Sequence, residues 1–185
     1  NVSNIKLEET ERKFLKFEEI KQLSLTLPED VIDQQVAKMF LFSCFTGLSI
    51  ANLLSLTYKQ IENDTVKFFR EKTKTWQYQP LSKTALALIG DTANCPPDTK
   101  VFTTLDYRQC RYRLQKWGKQ AGIQKTLNFH LGRHTFATLS LTQGVDVFTV
   151  QKLIGHKKIA TTQIYAKVID SVKRKAVDAL PQLEL

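Results

Sequence analysis

Three short polar groups in the second half of the chain carry residue types suited to phosphoryl transfer: His130-Leu-Gly-Arg133-His134, Gly155-His156 and Thr161-Thr-Gln-Ile-Tyr165. Singly, each has an ordinary explanation. A helical histidine is commonly a satisfied structural residue, an arginine a solvated charge, and a tyrosine at helical spacing a core residue with its hydroxyl paired. As a set they meet a specific demand. The transition state of phosphoryl transfer spreads negative charge over non-bridging oxygens, which a bidentate guanidinium and imidazole N–H groups stabilise. Arg133, His130 and His156 supply such donors. A tyrosine hydroxyl can attack in line and store the bond energy in a phosphodiester, which is the role open to Tyr165. The leaving 5′ oxygen then needs a proton, and Lys72, with Lys74 behind it, can deliver one as general acid from a β-hairpin. No carboxylate cluster accompanies the histidines, which disfavours a metal-dependent nuclease. Cys44, Cys95 and Cys110 are odd in number and scattered, without metal-ligand spacing, and read as reduced thiols.

The elements that must position these residues are mostly helices. Phe17, Ile20 and Leu23 recur at helical spacing until Pro28 stops the run. Val31 to Phe45 predicts a core helix with Val31, Val36, Met39, Phe40 and Ser43 or Cys44 along one broad stripe. Thr46-Gly47 closes it, and Ser49 is placed to cap a short helix from Ile50 to Leu54. Between Thr57 and Leu81 the period changes to two, so Thr65 to Lys72 and Trp76 to Gln79, around a polar Thr73–Thr75 turn, predict a small antiparallel sheet. A short helix over Ser82–Ile89, a surface loop to Lys100 and a basic helix from Asp106 to Gln120 follow, the last packed through Trp117. The remaining helices are expected over Arg133–Gln143, Val147–Ile154, Ala160–Val168 and, as a tail, Ser171–Leu180. The fold class is therefore mainly α with a small antiparallel three-stranded β-sheet. Residues 1–13 read as a linker remnant and residues 14–185 as one catalytic domain with its tail helix.

At 185 residues and 42% hydrophobic, the chain suits one core. It has no apolar run long enough to span a membrane and no secretory signal, so a cytoplasmic location is expected. The net charge of +9 is lopsided. Residues 1–90 carry 12 Lys/Arg against 11 Asp/Glu, and residues 91–185 carry 15 against 7. Such asymmetry suits a polyanionic partner, since cations that displace condensed counterions from a phosphate backbone gain affinity. Arg108, Arg111 and Arg113 on the basic helix, with Lys157 and Lys158 beside His156, are candidate phosphate contacts, although each also reads as part of a solvated face.

The segments His130-x-x-Arg133-His134-Thr-Phe-Ala-Thr, Leu153-Ile-Gly-His156 and Thr161-Thr-Gln-Ile-Tyr165-Ala together resemble the tyrosine recombinases, or phage-type integrases. Phe45-Thr-Gly-Leu-Ser-Ile-Ala-Asn-Leu resembles that family's first box, and Arg70-Glu-Lys72-Thr73 with Gln79-Pro-Leu81 its lysine hairpin. The order and spacing hold over about residues 14–180, with a look closest to integrases of conjugative transposons and related mobile elements. The resemblance implies cutting and rejoining of double-stranded DNA through a 3′-phosphotyrosyl link to Tyr165. Arg133 would be the second of two active-site arginines, His130 and His156 phosphate-contacting donors, and Lys72 the general acid. His134 would support packing. It further implies no cofactor, a preceding core-binding domain that is missing here, a tetrameric synapse of the full-length protein, DNA-bending accessory proteins, and a tail helix docking on a neighbouring protomer.

One position departs from the pattern. The family's first box carries an arginine directly after Thr-Gly-Leu, where this chain has Ser49, and a hydroxyl cannot replace a guanidinium fork. Strand alternation puts Arg70 and Lys72 on one face, so Arg70 is expected to enter the vacated place, the other reading being a solvated strand arginine. The competing function is a DNA-binding accessory or regulatory protein that kept the fold but lost the reaction. Val147–Val168 superficially resembles a helix-turn-helix reader, but a pure binder has no need of Tyr165, Lys72 and both histidines together.

Overall fold

The computed structural model describes residues 14–70, 74–92, 94–102, 105–155, 173–174, 177–178 and 180–181. At its centre lies α2 (Val31–Thr46), capped by the Asp30 carboxylate, which accepts from the Ile32 and Asp33 amides. Phe40, Phe42, Met39 and Val36 are fully buried along it, whereas Val31, expected on the same stripe, is 72% exposed in the first turn. The helix packs against three others, α4 (Lys83–Ile89), α5 (Tyr107–Gln120) and α6 (Phe129–Thr142). Phe40 meets Trp117 of α5 and Phe129 of α6 edge-on at 6.2 and 6.1 Å. A Cβ on Gly132 of α6 would lie 3.2 Å from the Phe40 ring and from Ser43 Oγ, so glycine lets α6 approach α2 closely.

The start of the described chain is tied in by long-range hydrogen bonds. Leu15 N donates to Thr135 Oγ1 of α6 at 2.9 Å, and after α1 (Phe17–Leu25) Trp117 Nε1 donates to Thr26 O at 2.7 Å. Arg113 of α5 is ion-paired with Asp33 of α2, and Lys116 Nζ reaches the other Asp33 oxygen at 3.5 Å. Burial works to raise the Asp33 carboxyl, but the hydrogen bond and charge of Arg113, with those of Lys116, hold it below the usual carboxylate value.

The sheet has the order β1 (Ile61–Glu62), β2 (Thr65–Arg70), β3 (Thr75–Pro80), all antiparallel. Register pairs Val66 with Gln79, Phe68 with Gln77 and Arg70 with Thr75, which sends Val66, Phe68 and Arg70 to one face. Val66 and Phe68 are buried there, and Gln79 Nε2 donates to Thr46 O at 2.6 Å. The inner face of the sheet thus rests on the end of α2 and on α3 (Ile50–Ser55). A second, smaller core joins α6 to α7 (Val147–Ile154) through Ala137, Leu141, Val150 and Ile154.

The expected mainly α fold with a three-stranded antiparallel sheet is what the chain forms. The helix expected to begin at Arg133 begins instead at Phe129, where Asn128 Oδ1 accepts from Leu131 N as a cap. His130 therefore lies in a helical first turn, one turn from Arg133. The helix expected over Ala160–Val168 lies outside the described residues, as does most of the tail. Lys173, Arg174, Val177 and Asp178 within that tail are helical.

Candidate functional site

Two tight turns build the site. Gly47 ends α2 with left-handed backbone (φ 67°), and a Cβ there would stand 2.5 Å from Phe136 of α6 and 3.2 Å from Ile154 of α7. Gly155 ends α7 the same way (φ 63°). The first turn therefore lies directly against α6 and against α7, the helix that ends at the second. Arg133, projecting from α6, bridges them: Nη1 donates to Gly47 O at 2.6 Å and Nη2 donates to Ile154 O.

A second guanidinium arrives from the sheet. Arg70, the last residue of β2, donates from Nη2 to Leu153 O at 3.1 Å, one carbonyl before the partner of Arg133. A Cβ on Gly155 would fall on Arg70 Nη1, so the guanidinium fills space that only glycine leaves open. Arg70 Nε is buried without a hydrogen-bond partner. The ring of Phe68 lies 5.6 Å from Cζ. No carboxylate faces Arg70 in an ion pair among the described residues, and burial pulls its guanidinium below the ordinary arginine value, though it stays cationic at any physiological pH. The last carbonyls of a helix carry the negative end of its dipole. Here two arginine forks from different elements share that negative end, Arg70 on Leu153 O and Arg133 on Ile154 O.

Ser49 does not extend toward this pair as a cation would. Its Oγ caps α3, accepting from Asn52 N at 3.4 Å and donating to Asn52 Oδ1 at 2.7 Å. Asn52 Nδ2 in turn donates to Phe69 O at 3.1 Å, one residue before Arg70. Ser49 is thus linked, through Asn52, to the strand that delivers Arg70. Neither Asn52 nor Gly155 stood out in sequence as positioning residues. An asparagine in a short helix and a glycine closing one are both commonplace, and only the tertiary contact gives them meaning.

His130 is exposed on the first turn of α6 and His134 is half-buried one turn on. Lys74 sits exposed in the turn before β3 with left-handed backbone (φ 53°). Lys72, His156, Lys157, Lys158 and Tyr165 lie outside the described residues. On α5, Arg108 and Arg111 are exposed, whereas Arg113 is engaged with Asp33 and lies 3.7 Å from Asp30. Among the described residues no group of His, Cys, Asp or Glu is arranged to hold a metal ion, and no helix is long and apolar enough to cross a membrane.

The chain is 37% identical over 139 residues to the tyrosine recombinase XerA of Saccharolobus solfataricus, a match covering 73% of this chain and 47% of that protein. It is 31% identical over 172 residues to the tyrosine recombinase XerC of Shewanella amazonensis, covering 80% of this chain and 57% of that one. The chain thus spans about half the length of these curated relatives. In fold it is similar to a XerA recombinase crystal structure (TM-score 0.71, 24% identity, 93% of this chain and 66% of that one). It is likewise similar to the catalytic domain of bacteriophage HP1 integrase (TM-score 0.67, 20% identity, 91% of this chain and 95% of that one). A DNA-bound Tn1549 transposon integrase also superposes, with a TM-score of 0.67 at 20% identity over 91% of this chain and 66% of that one. Residues 13–171 match the phage integrase family, and the chain belongs to that family.

Proposed function

We propose that this chain is the catalytic domain of a site-specific tyrosine recombinase, which cuts and rejoins double-stranded DNA. In this reading Tyr165 attacks the scissile phosphorus and gives up its phenolic proton to solvent water. The P–O5′ bond breaks, and Lys72 protonates the departing 5′ oxygen. The 3′-phosphotyrosyl link holds the bond energy until a 5′ hydroxyl from the partner strand reverses the step. Arg133, His130 and His156 donate to the non-bridging oxygens, and Arg70 takes the place left by Ser49 as the first of the two guanidinium groups. The observation that carries this reading is the convergence of Arg70 and Arg133 on adjacent carbonyls three and two residues before His156. Two forks so placed, with Arg70 Nε buried and no acid facing Arg70 among the described residues, are suited to an oxyanion that displaces the helix-end carbonyls.

The proposal extends to the partners. Arg108, Arg111, Lys157 and Lys158 contact phosphates of the duplex, and Arg113 serves the α5–α2 junction in place of the DNA. The full-length protein works as a tetramer on two duplexes, with the tail helix docked on a neighbour and DNA-bending proteins assisting, in the cytoplasm on nucleoid DNA. A purely regulatory DNA binder is the weaker reading, because it gives no account of two arginines so placed.

The deciding experiment incubates the chain in EDTA with a pool of nicked suicide duplexes of randomised arm sequence, then collects denaturation-resistant protein–DNA adducts. An adduct that forms with the native chain and disappears in Tyr165→Phe establishes the chemistry. Binding without any Tyr165-dependent adduct would falsify it in favour of the regulatory reading.

A further inference from the structure

The outer face of the hairpin is as unusual as its inner one. The register that turns Val66, Phe68 and Arg70 inward brings Lys67 opposite Tyr78 and Phe69 opposite Trp76 on the other side. Trp76 and Tyr78 are 54% and 63% exposed, two large rings in successive outward positions of one strand. Solvated strand faces ordinarily carry polar side chains, so a two-ring platform left open to water suits a flat apolar partner. Phe69 braces Trp76 edge-on at 5.4 Å. Lys67 Nζ sits 5.0 Å from the Trp76 ring and 5.4 Å from the Tyr78 ring, so a single cation is held between the two. Glu62, paired with Thr65, lies at the far edge of this face and is its acidic residue among the described ones.

We infer that this face is a stacking platform for single-stranded DNA, in which two successive unpaired bases lie on Trp76 and Tyr78 and the phosphate between them meets Lys67. Spacing decides between single strand and duplex. Alternate residues of a strand are roughly 6.7 Å apart. Bases in a duplex strand are roughly 3.4 Å apart, half that distance. Only an unstacked, extended strand sets consecutive bases on both rings, and aromatic platforms beside cations are the general means of holding one. The inference rests on the recombinase reading for its source of such a strand. Cleavage frees a 5′ end whose first bases must unpair before the end can move to the partner duplex. The platform rings lie on β3, paired with the strand that delivers Arg70 and on the opposite face of the sheet from it, so the freed end is captured beside the cut.

The chain carries its own probe, because Trp76 and Trp117 are its two tryptophans and Trp117 is only 2% exposed. Titration with an oligothymidylate of about ten nucleotides should quench the exposed indole while leaving the buried one bright, and more strongly than a duplex of equal length. Trp76→Phe should remove the quench while retaining oligonucleotide binding read by anisotropy. Trp76→Ala and Tyr78→Ala should each weaken that binding roughly 5- to 150-fold with unchanged thermal melting. Unchanged emission, equal quenching by duplex, or alanine variants that bind as tightly as the native chain overturns the inference and leaves the face to a protein partner. The adduct assay separates the two claims. A Tyr165 adduct with a silent Trp76 sinks the platform alone, and single-strand binding without an adduct sinks the recombinase reading alone.

Discussion

The guanidinium of Arg70 occupies the space where a side chain on Gly155 would begin. The two residues are 85 positions apart in sequence, yet neither position is independent of the other. Gly155 is doubly constrained, by its left-handed backbone and by the cation lying over it. Gly155→Ala should therefore do more than strain the turn, whose cost is about 1–2 kcal/mol. It should also evict Arg70. The expected outcome is loss of adduct formation as deep as in Arg70→Ala, with the double variant no worse than either single one, because both remove the same guanidinium. Additive losses measured in the cycle would mean that the two act separately.

If Arg70 stabilises charge on the scissile phosphate, Arg70→Ala should slow cleavage by roughly 10²–10³-fold, the usual loss for one transition-state donor. A packing role would produce a general loss instead. The substrate distinguishes them. A methylphosphonate at the scissile position lacks the charged oxygen, so Arg70→Ala should cleave it nearly as fast as the native chain does. Ser49→Arg in the Arg70→Ala background should restore part of the rate on the ordinary phosphodiester. That rescue is expected even though the substitution removes the α3 cap, a loss of about 1 kcal/mol in stability. A double variant no faster than Arg70→Ala would remove the claim that one cation serves in place of the other.

These relationships divide what sequence carries from what it does not. The caps at Asp30, Ser49, Ser82 and Asp106 and the left-handed glycines 47 and 155 are local signals, and they delimit helices within a residue or two. Strand alternation likewise suffices to turn Arg70 inward. The start of α6 is harder to read, because Thr126-Leu-Asn-Phe129 carries a single weak cap and His130 is as ordinary in a loop as in a helix. The Asp33–Arg113 pair is invisible for a different reason. Nothing in a run of basic residues marks which one meets an acid 80 positions away, so Arg113 reads like its neighbours Arg108 and Arg111.

The thiols offer a cheap check of the core. Burial pushes Cys44 far above the ordinary thiol value, and burial together with the Asp106 charge raises Cys110. Cys95 is half-exposed in the loop after α4. A disulfide-exchange reagent at neutral pH should therefore modify one thiol quickly in the native chain and all three after denaturation. Fast modification of two or more would show that the packing around α2 or α5 is not as described.

The three arginines of α5 should separate in a salt titration. Arg108→Ala and Arg111→Ala should each lower the slope of log binding constant against log salt by about one, as the loss of a phosphate contact requires. Arg113→Ala should leave that slope unchanged and lower stability by about 1 kcal/mol. Its partner gives the pH signature. The folded-state carboxyl of Asp33 is held below its unfolded value of about 3.9, so the pair's contribution is fully present above that pH and is lost as pH falls through the folded value. Arg113→Ala should therefore flatten the acid limb of the stability curve below about pH 4, where Arg108→Ala should leave it unaltered. A salt slope that falls with Arg113→Ala would return this arginine to the DNA and leave the α2–α5 tie without its function.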